Sequence, residues 1–139
     1  MTGFVIITTE GIRIRFKYYI DAAPITAGAF HASLPFRQVF LHARTSGEEI
    51  WTAVAPALDI IQENASVFCE PGEVVIGPLN PARARTVGCM GIYYGEGKGL
   101  DSCNIFGKVY DDDASLLQVL GESIWKNGGQ ELIFEALVS

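Results

Sequence analysis

Charge is scarce in this 139-residue chain, at 19% of residues against 49% hydrophobic, and basic charge is scarcer still. Ten Lys and Arg stand against sixteen Asp and Glu, giving a formal charge of −6. That deficit argues against a dedicated binder of nucleic acid or anionic membranes, whose affinity is built from clustered cations. Cysteine is limited to Cys69, Cys89 and Cys103. An odd number without a C-x-x-C spacing gives neither a disulfide framework nor a zinc knuckle, so the three read as small buried hydrophobes. The two histidines, His31 and His42, fall on different predicted elements without metal-ligand spacing, and no metal or cofactor is expected. Long apolar runs are missing as well: none approaches the roughly 18 residues a spanning helix needs. Met1 to Thr9 has no basic leader, and Glu10, Arg13 and Arg15 break the apolar run that follows. The expectation is a soluble, cytoplasmic protein. With no linker, charge block or internal repeat, residues 1–139 read as one domain, long enough to bury a core without staples.

What is present is strand pattern. Phe4 to Thr8 is β-branched and apolar, Glu10-Gly11 supplies a turn, and Ile12, Ile14 and Phe16 then alternate with Arg13, Arg15 and Lys17. Pro24 suits the first turn of a helix that Pro35 closes. Arg37 to Arg44 and Glu48 to Ala53 read as strands joined by a two-residue Ser46-Gly47 turn. Ala65 to Cys69 and Glu73 to Ile76 flank Pro71-Gly72. Val87 to Tyr94 and Asn104 to Tyr110 flank a glycine-rich loop. Asp111 to Asp113 can cap a second helix, Ala114 to Lys126, whose Leu116, Leu117, Leu120 and Ile124 share a face and which Gly128 can end. A closing strand carries Leu132, Phe134 and Ala136. Many strands, two short helices and few parallel crossovers predict a mainly β protein.

Two stretches add a resemblance. Gly11 to Phe16, followed by Ala23-Pro24-Ile25-Thr26-Ala27-Gly28-Ala29-Phe30, resembles the opening of cyclophilins, where a strand leads into a P-x-T-x-x-x-F helix. Ile105-Phe106-Gly107-Lys108-Val109, then acidic residues and a Leu-rich helix, is similar to the cyclophilin F-G-x-V strand and second helix. His42 to Trp51, Glu63-Asn64-Ala65 and Pro71 to Ile76 resemble a bacterial family of cyclophilin-like domains without an established activity. The resemblance implies a closed, eight-stranded antiparallel barrel with two short capping helices, and a bacterial protein. The catalytic pattern of the isomerases is displaced, however. Their arginine lies in an F-x-R-V segment, whereas Phe36-Arg37-Gln38-Val39 carries Arg37 one position away, and a one-residue shift in a strand turns a side chain to the other face. The Q-G-G-D and S-Q-F-F segments have no clear counterpart.

The most suggestive chemistry lies in the central hairpin. A two-residue turn at Ser46-Gly47 sets Arg44 opposite Glu49 and His42 opposite Trp51, so that Phe40, His42, Arg44, Glu49 and Trp51 line one face. Leu41, Ala43 and Ile50 then face the barrel interior. Arg44 can clamp a carboxylate, His42 can exchange protons near neutral pH and act as a general base, and Trp51 offers an apolar or cation-binding face. The competing account is a solvated hairpin with a weak Arg44–Glu49 pair, and a three-residue turn would dissolve the cluster. Tyr93 and Tyr94 point to opposite faces, so only one can join such a wall; Asn104 is a further expected neighbour. Gly95-Glu96-Gly97-Lys98-Gly99 fails the Walker spacing and reads as a mobile loop. Arg83 and Arg85 could guide an anion or simply be solvated. The leading expectation is binding of a small carboxylate- or amide-bearing ligand by His42, Arg44, Glu49, Trp51, Tyr93 and Asn104, with catalysis undecided. The alternatives are prolyl isomerisation through Arg37 and a non-catalytic assembly module; a homo-oligomer is expected.

Overall fold

The alternating N-terminal segments pair as expected in the computed structural model, which describes residues 1–138. Strand β1 (Gly3–Ile7) lies antiparallel to β2 (Arg13–Tyr18), with Phe4 opposite Phe16 and Ile6 opposite Ile14. Helix α1 (Pro24–Ala32) begins at its proline. Then follow β3 (Phe36–His42), β4 (Gly47–Thr52), β5 (Ala65–Phe68), β6 (Glu73–Ile76) and the long β7 (Met90–Val109). A 3₁₀ turn (Asp111–Asp113) leads into α2 (Ala114–Asn127), and β8 (Gln130–Ala136) closes the chain. Among the described residues, no helix is long and apolar enough to cross a membrane.

Six strands form a closed antiparallel ring: β1 pairs with β2 and β8, β8 with β3, β3 with β4, β4 with β7, and β7 returns to β2. The expected ring of eight is thus a ring of six, with β5 and β6 attached to β7 outside that path. The glycine-rich loop expected between two strands is also corrected. Residues 95–103 remain extended because β4 pairs with Gly97 and β5 with Lys98 and Cys103, making β7 one 20-residue strand. Its two ends embrace β6: Val74 pairs with both Ile92 and Gly107.

Aromatic side chains fill the interior. Phe4, Phe16, Phe30, Phe40, Phe106 and Phe134 are fully buried. Phe4 stacks on Phe16 at 4.8 Å between ring centres, and Phe30 of α1 lies 5.0 Å from Phe4 and 4.9 Å from Phe106. Helix α2 joins the same core through Leu117, Leu120 and Ile124, while Leu116 stays partly exposed. Each buried aromatic contributes roughly 2–3 kcal/mol by leaving water.

Two termini are held by partners distant in sequence. The N–H groups at the start of α1 are met by Glu63, whose carboxylate accepts from Thr26 N (2.8 Å), Thr26 Oγ1 (2.7 Å) and Ile25 N (3.2 Å). Before α2, Asp113 does not cap the helix with its side chain. Its carboxylate instead accepts from the backbone N, Nε and Nη2 of Arg15 at 2.8–3.0 Å. A bidentate guanidinium outcompetes a neutral N–H for the same oxygens.

Candidate functional site

The period-two alternation that fills the barrel also builds a site on its outer wall. On β4, Ile50 enters the core while Glu49 and Trp51 face away from it; on β6, Val74 and Ile76 go in and Val75 out; on β7, Ile92 goes in and Gly91 and Tyr93 out. These outward residues line a cavity of about 650 Å³, well within the range of small-molecule sites. Its remaining walls come from Cys69, from the segment preceding β7 with Arg85, Thr86 and Cys89, from Gly99 to Asp101 and Cys103 of β7, and from Ile124 and Trp125 of α2.

Five of the six residues singled out from the sequence meet there: His42, Arg44, Glu49, Trp51 and Tyr93. The register that brings them together differs from the expected one. Strand β3 ends at His42 and β4 begins at Gly47, so four residues, 43–46, make the connection. Leu41 stands opposite Trp51 and His42 opposite Ile50, one step from the two-residue-turn register. Leu41 is accordingly half exposed beside the cavity and Phe40 is in the core, the reverse of the expected assignment. Arg44 lies outside the strand pairing and forms no ion pair with Glu49. His42 still reaches the cavity from the end of its strand. Its Nε2 lies 2.8 Å from the Tyr94 hydroxyl, and its ring packs edge-on at 4.7 Å from Trp125. Tyr93 faces the cavity, and its neighbour Tyr94 packs against α2, as opposite faces of a strand require.

Asn104 is the exception. It is fully buried away from the cavity, its Nδ2 donating to Thr26 Oγ1 and to the Ile61 carbonyl, each at 3.0 Å, while its Oδ1 accepts from Glu63 N at 3.0 Å. It ties β7 to the cap of α1 and is a structural residue.

Glu49 is the electrostatic centre of the site. The residue is only 9% exposed, and burial pushes its carboxyl up from 4.5 to about 7, against the opposing hydrogen bonds of Ser46 and Tyr93. Ser46 Oγ donates to Oε1, and Oε2 occupies the space that a Cβ at position 91 would fill. Gly91 is therefore required for the carboxyl to sit where it does. All three cysteines line the same cavity, half-buried rather than in the core where they were expected. Burial raises Cys69 and Cys103 to about 12 and Cys89 above its usual value, and the Glu49 charge acts in the same direction. They are thiols, not thiolates, at neutral pH, which makes them poor nucleophiles. Among the described residues, no group of three His, Cys, Asp or Glu is placed to hold a metal ion.

Sequence reasoning left out Trp125, Arg85, the cysteines and Gly91 as members of this wall. From the sequence alone Arg85 reads only as a solvated or anion-guiding residue. For Trp125 the signal was available: an indole on the polar flank of α2, where 65% of it remains exposed. Arg37 lies elsewhere. Its side chain is 64% exposed on β3, 3.4 Å from Glu131 of β8, and it does not border the cavity.

Comparison with known proteins adds a family and a fold. The model of DUF3830, described as a protein of unknown function, matches residues 5–135. No curated protein sequence matches the chain. The structure of McbB in complex with tryptophan superposes with a TM-score of 0.78 at 18% identity, covering 98% of this chain and 46% of that one. The chain thus spans less than half the length of McbB. The solution structure of the hypothetical protein AF2241 from Archaeoglobus fulgidus gives 0.68 at 17% identity, covering 98% and 95%. A cyclophilin-type peptidyl-prolyl cis-trans isomerase from Cryptosporidium parvum, solved in the presence of the dipeptide Ala-Pro, gives 0.58 at 17% identity, covering 99% of each chain. At these identities the likeness establishes a cyclophilin-like fold.

Proposed function

The chain belongs to DUF3830, a family of proteins of unknown function with a cyclophilin-like fold here, and from that premise we propose that it binds a small carboxylate- or amide-bearing molecule in the cavity on its outer barrel wall. The observation that carries this reading is the convergence of His42, Arg44, Glu49, Trp51 and Tyr93 on one cavity of about 650 Å³ that opens to solvent. Arg44 and Arg85 supply guanidiniums for a carboxylate, the indoles of Trp51 and Trp125 supply flat apolar area, and Glu49 in its protonated form can donate to a carbonyl oxygen. Tryptophan, the molecule complexed with McbB, has both a carboxylate and a flat ring and is a fitting first probe.

Thermal-shift and calorimetric titration with L-tryptophan, L-tryptophanamide and a panel of small acids test the reading. Stabilisation by at least one of these compounds, lost in Arg44→Ala and Trp51→Ala, is the expected result. No stabilisation, or equal stabilisation in the variants, overturns it. Prolyl isomerisation is not favoured, because Arg37 is exposed and paired with Glu131 rather than set over an apolar groove. Assembly has its own support in Leu41 and Trp125, exposed apolar side chains at the cavity's edge. Light scattering with and without ligand separates the two: a dimer that ligand dissociates would mean that copies of the chain, not small molecules, normally cover this surface.

A further inference from the structure

A carboxyl group removed from water is ordinarily accompanied by a cation. Glu49 is not. Ser46 Oγ donates to it, and the cavity wall it shares carries the Tyr93 hydroxyl and the thiols of Cys69, Cys89 and Cys103, all neutral near pH 7. Among the described residues, ion pairs join Arg15 to Asp113, Arg37 to Glu131, Arg83 to Asp101 and Lys108 to Glu70. Neither Glu49 nor the two arginines that border its cavity, Arg44 and Arg85, take part. The cavity therefore holds an unpaired acid on its buried wall and two unpaired, exposed guanidiniums on its solvent side. The acid's position is built rather than incidental, since Gly91 leaves room for its Oε2 and Ser46 holds its Oε1. Trp51 follows two residues later on the same outward face, and an indole face attracts cations.

We propose that the Glu49 carboxylate is the docking group for a basic nitrogen on the ligand, so that the cavity takes small amine-bearing acids, with the amine on Glu49 and the acid group on Arg44 and Arg85. This rests on the small-ligand reading above and narrows it. An incoming ammonium ion supplies the missing countercharge, so binding below pH 7 displaces the Glu49 proton. Of the other ionisable side chains on the cavity, Asp101 holds Arg83, and His42 is bonded to Tyr94 and to the Ala43 carbonyl.

Three probes that differ by one group at a time provide the test: 2-phenylethylamine, 3-phenylpropanoate and L-phenylalanine, titrated calorimetrically. The phenyl ring also leaves the fluorescence of Trp51 and Trp125 free as a second readout. In the wild type, affinity for 2-phenylethylamine should rise between pH 5 and pH 8, with release of close to one proton at pH 6, read from two buffers of different ionisation enthalpy. Glu49→Gln should weaken 2-phenylethylamine and L-phenylalanine by about tenfold to a hundredfold at pH 8, the range for loss of a charged hydrogen-bonded partner. It should leave 3-phenylpropanoate at least as tightly bound. Gly91→Ala, which displaces the carboxyl without removing it, should weaken the amines as well. Equal affinity of 2-phenylethylamine for wild type and Glu49→Gln overturns the proposal. Binding of 3-phenylpropanoate alone overturns it too while sparing the small-ligand reading, and failure of all three to bind at millimolar concentration counts against both.

Discussion

At the scale of single residues, Glu49 adds a pH-dependent contribution to stability between its solvated and its folded titration. Its carboxyl titrates at about 7 in the folded chain against 4.5 when solvated, because burial penalises the charged form. The native state therefore binds more protons than the unfolded state between these values, and stability falls as pH rises through that window. The full difference is about 3 kcal/mol. Urea denaturation should find Glu49→Gln close to wild type near pH 4.5 and more stable by up to that amount above pH 7; parallel curves across the range would refute the assignment. Asn104 gives the opposite kind of residue. Asn104→Ala leaves the Ile61 carbonyl and Glu63 N–H without partners in the interior and should lose about 2–4 kcal/mol in the same assay, at one to two kcal/mol for each orphaned group. The sequence marked both side chains as chemistry-bearing, but it could not separate them. Their partners lie 3 and 42 residues away for Ser46–Glu49 and Glu49–Gly91, and 78 for Asn104–Thr26, so only the first contact is local.

At the scale of elements, local chemistry made the hairpin of β1 and β2, both helices, and β8 legible, since each carries its own periodicity and terminal residues. Gly128, at φ +91°, ends α2 as its position suggested. Tertiary pairing overrode local signals elsewhere. Gly95 to Gly99 reads as a loop in isolation and is extended because β4 and β5 pair with this stretch of β7. The β3–β4 register slipped by one step because a four-residue connection leaves no distinctive turn motif at Ser46-Gly47. Helix α2 offers a test of element packing. The Tyr94 ring lies where a Cβ on Gly121 would be, so helix and strand approach only because that position is bare. Gly121→Ala should destabilise the protein by about 1–3 kcal/mol, a typical overpacking penalty. It should also shift the environment of Trp125, four residues along the same helix, which fluorescence emission can follow. Unchanged emission and stability would show that the ring has room to move.

At the scale of the whole molecule, ring closure leaves β1 and β8 paired along both edges, whereas β5 pairs only with β7. Hydrogen exchange should rank them accordingly, with central amides of β1 and β8 protected to near the global unfolding free energy and those of Ala65 to Phe68 exchanging through smaller openings. Comparable protection in the two regions would contradict the pairing hierarchy. The cavity occupies the back of the strands that enclose the core, so Ile50 and Ile92 serve one compartment while Glu49, Trp51, Gly91 and Tyr93 serve the other. Successive positions along one strand are thus answerable to different selective pressures. A lineage could revise odd-numbered sites, and with them the cavity wall, without renegotiating the hydrocarbon interior. Such separability makes this scaffold a natural starting point for directed evolution of new recognition, with libraries drawn on alternate codons of β4 and the first third of β7.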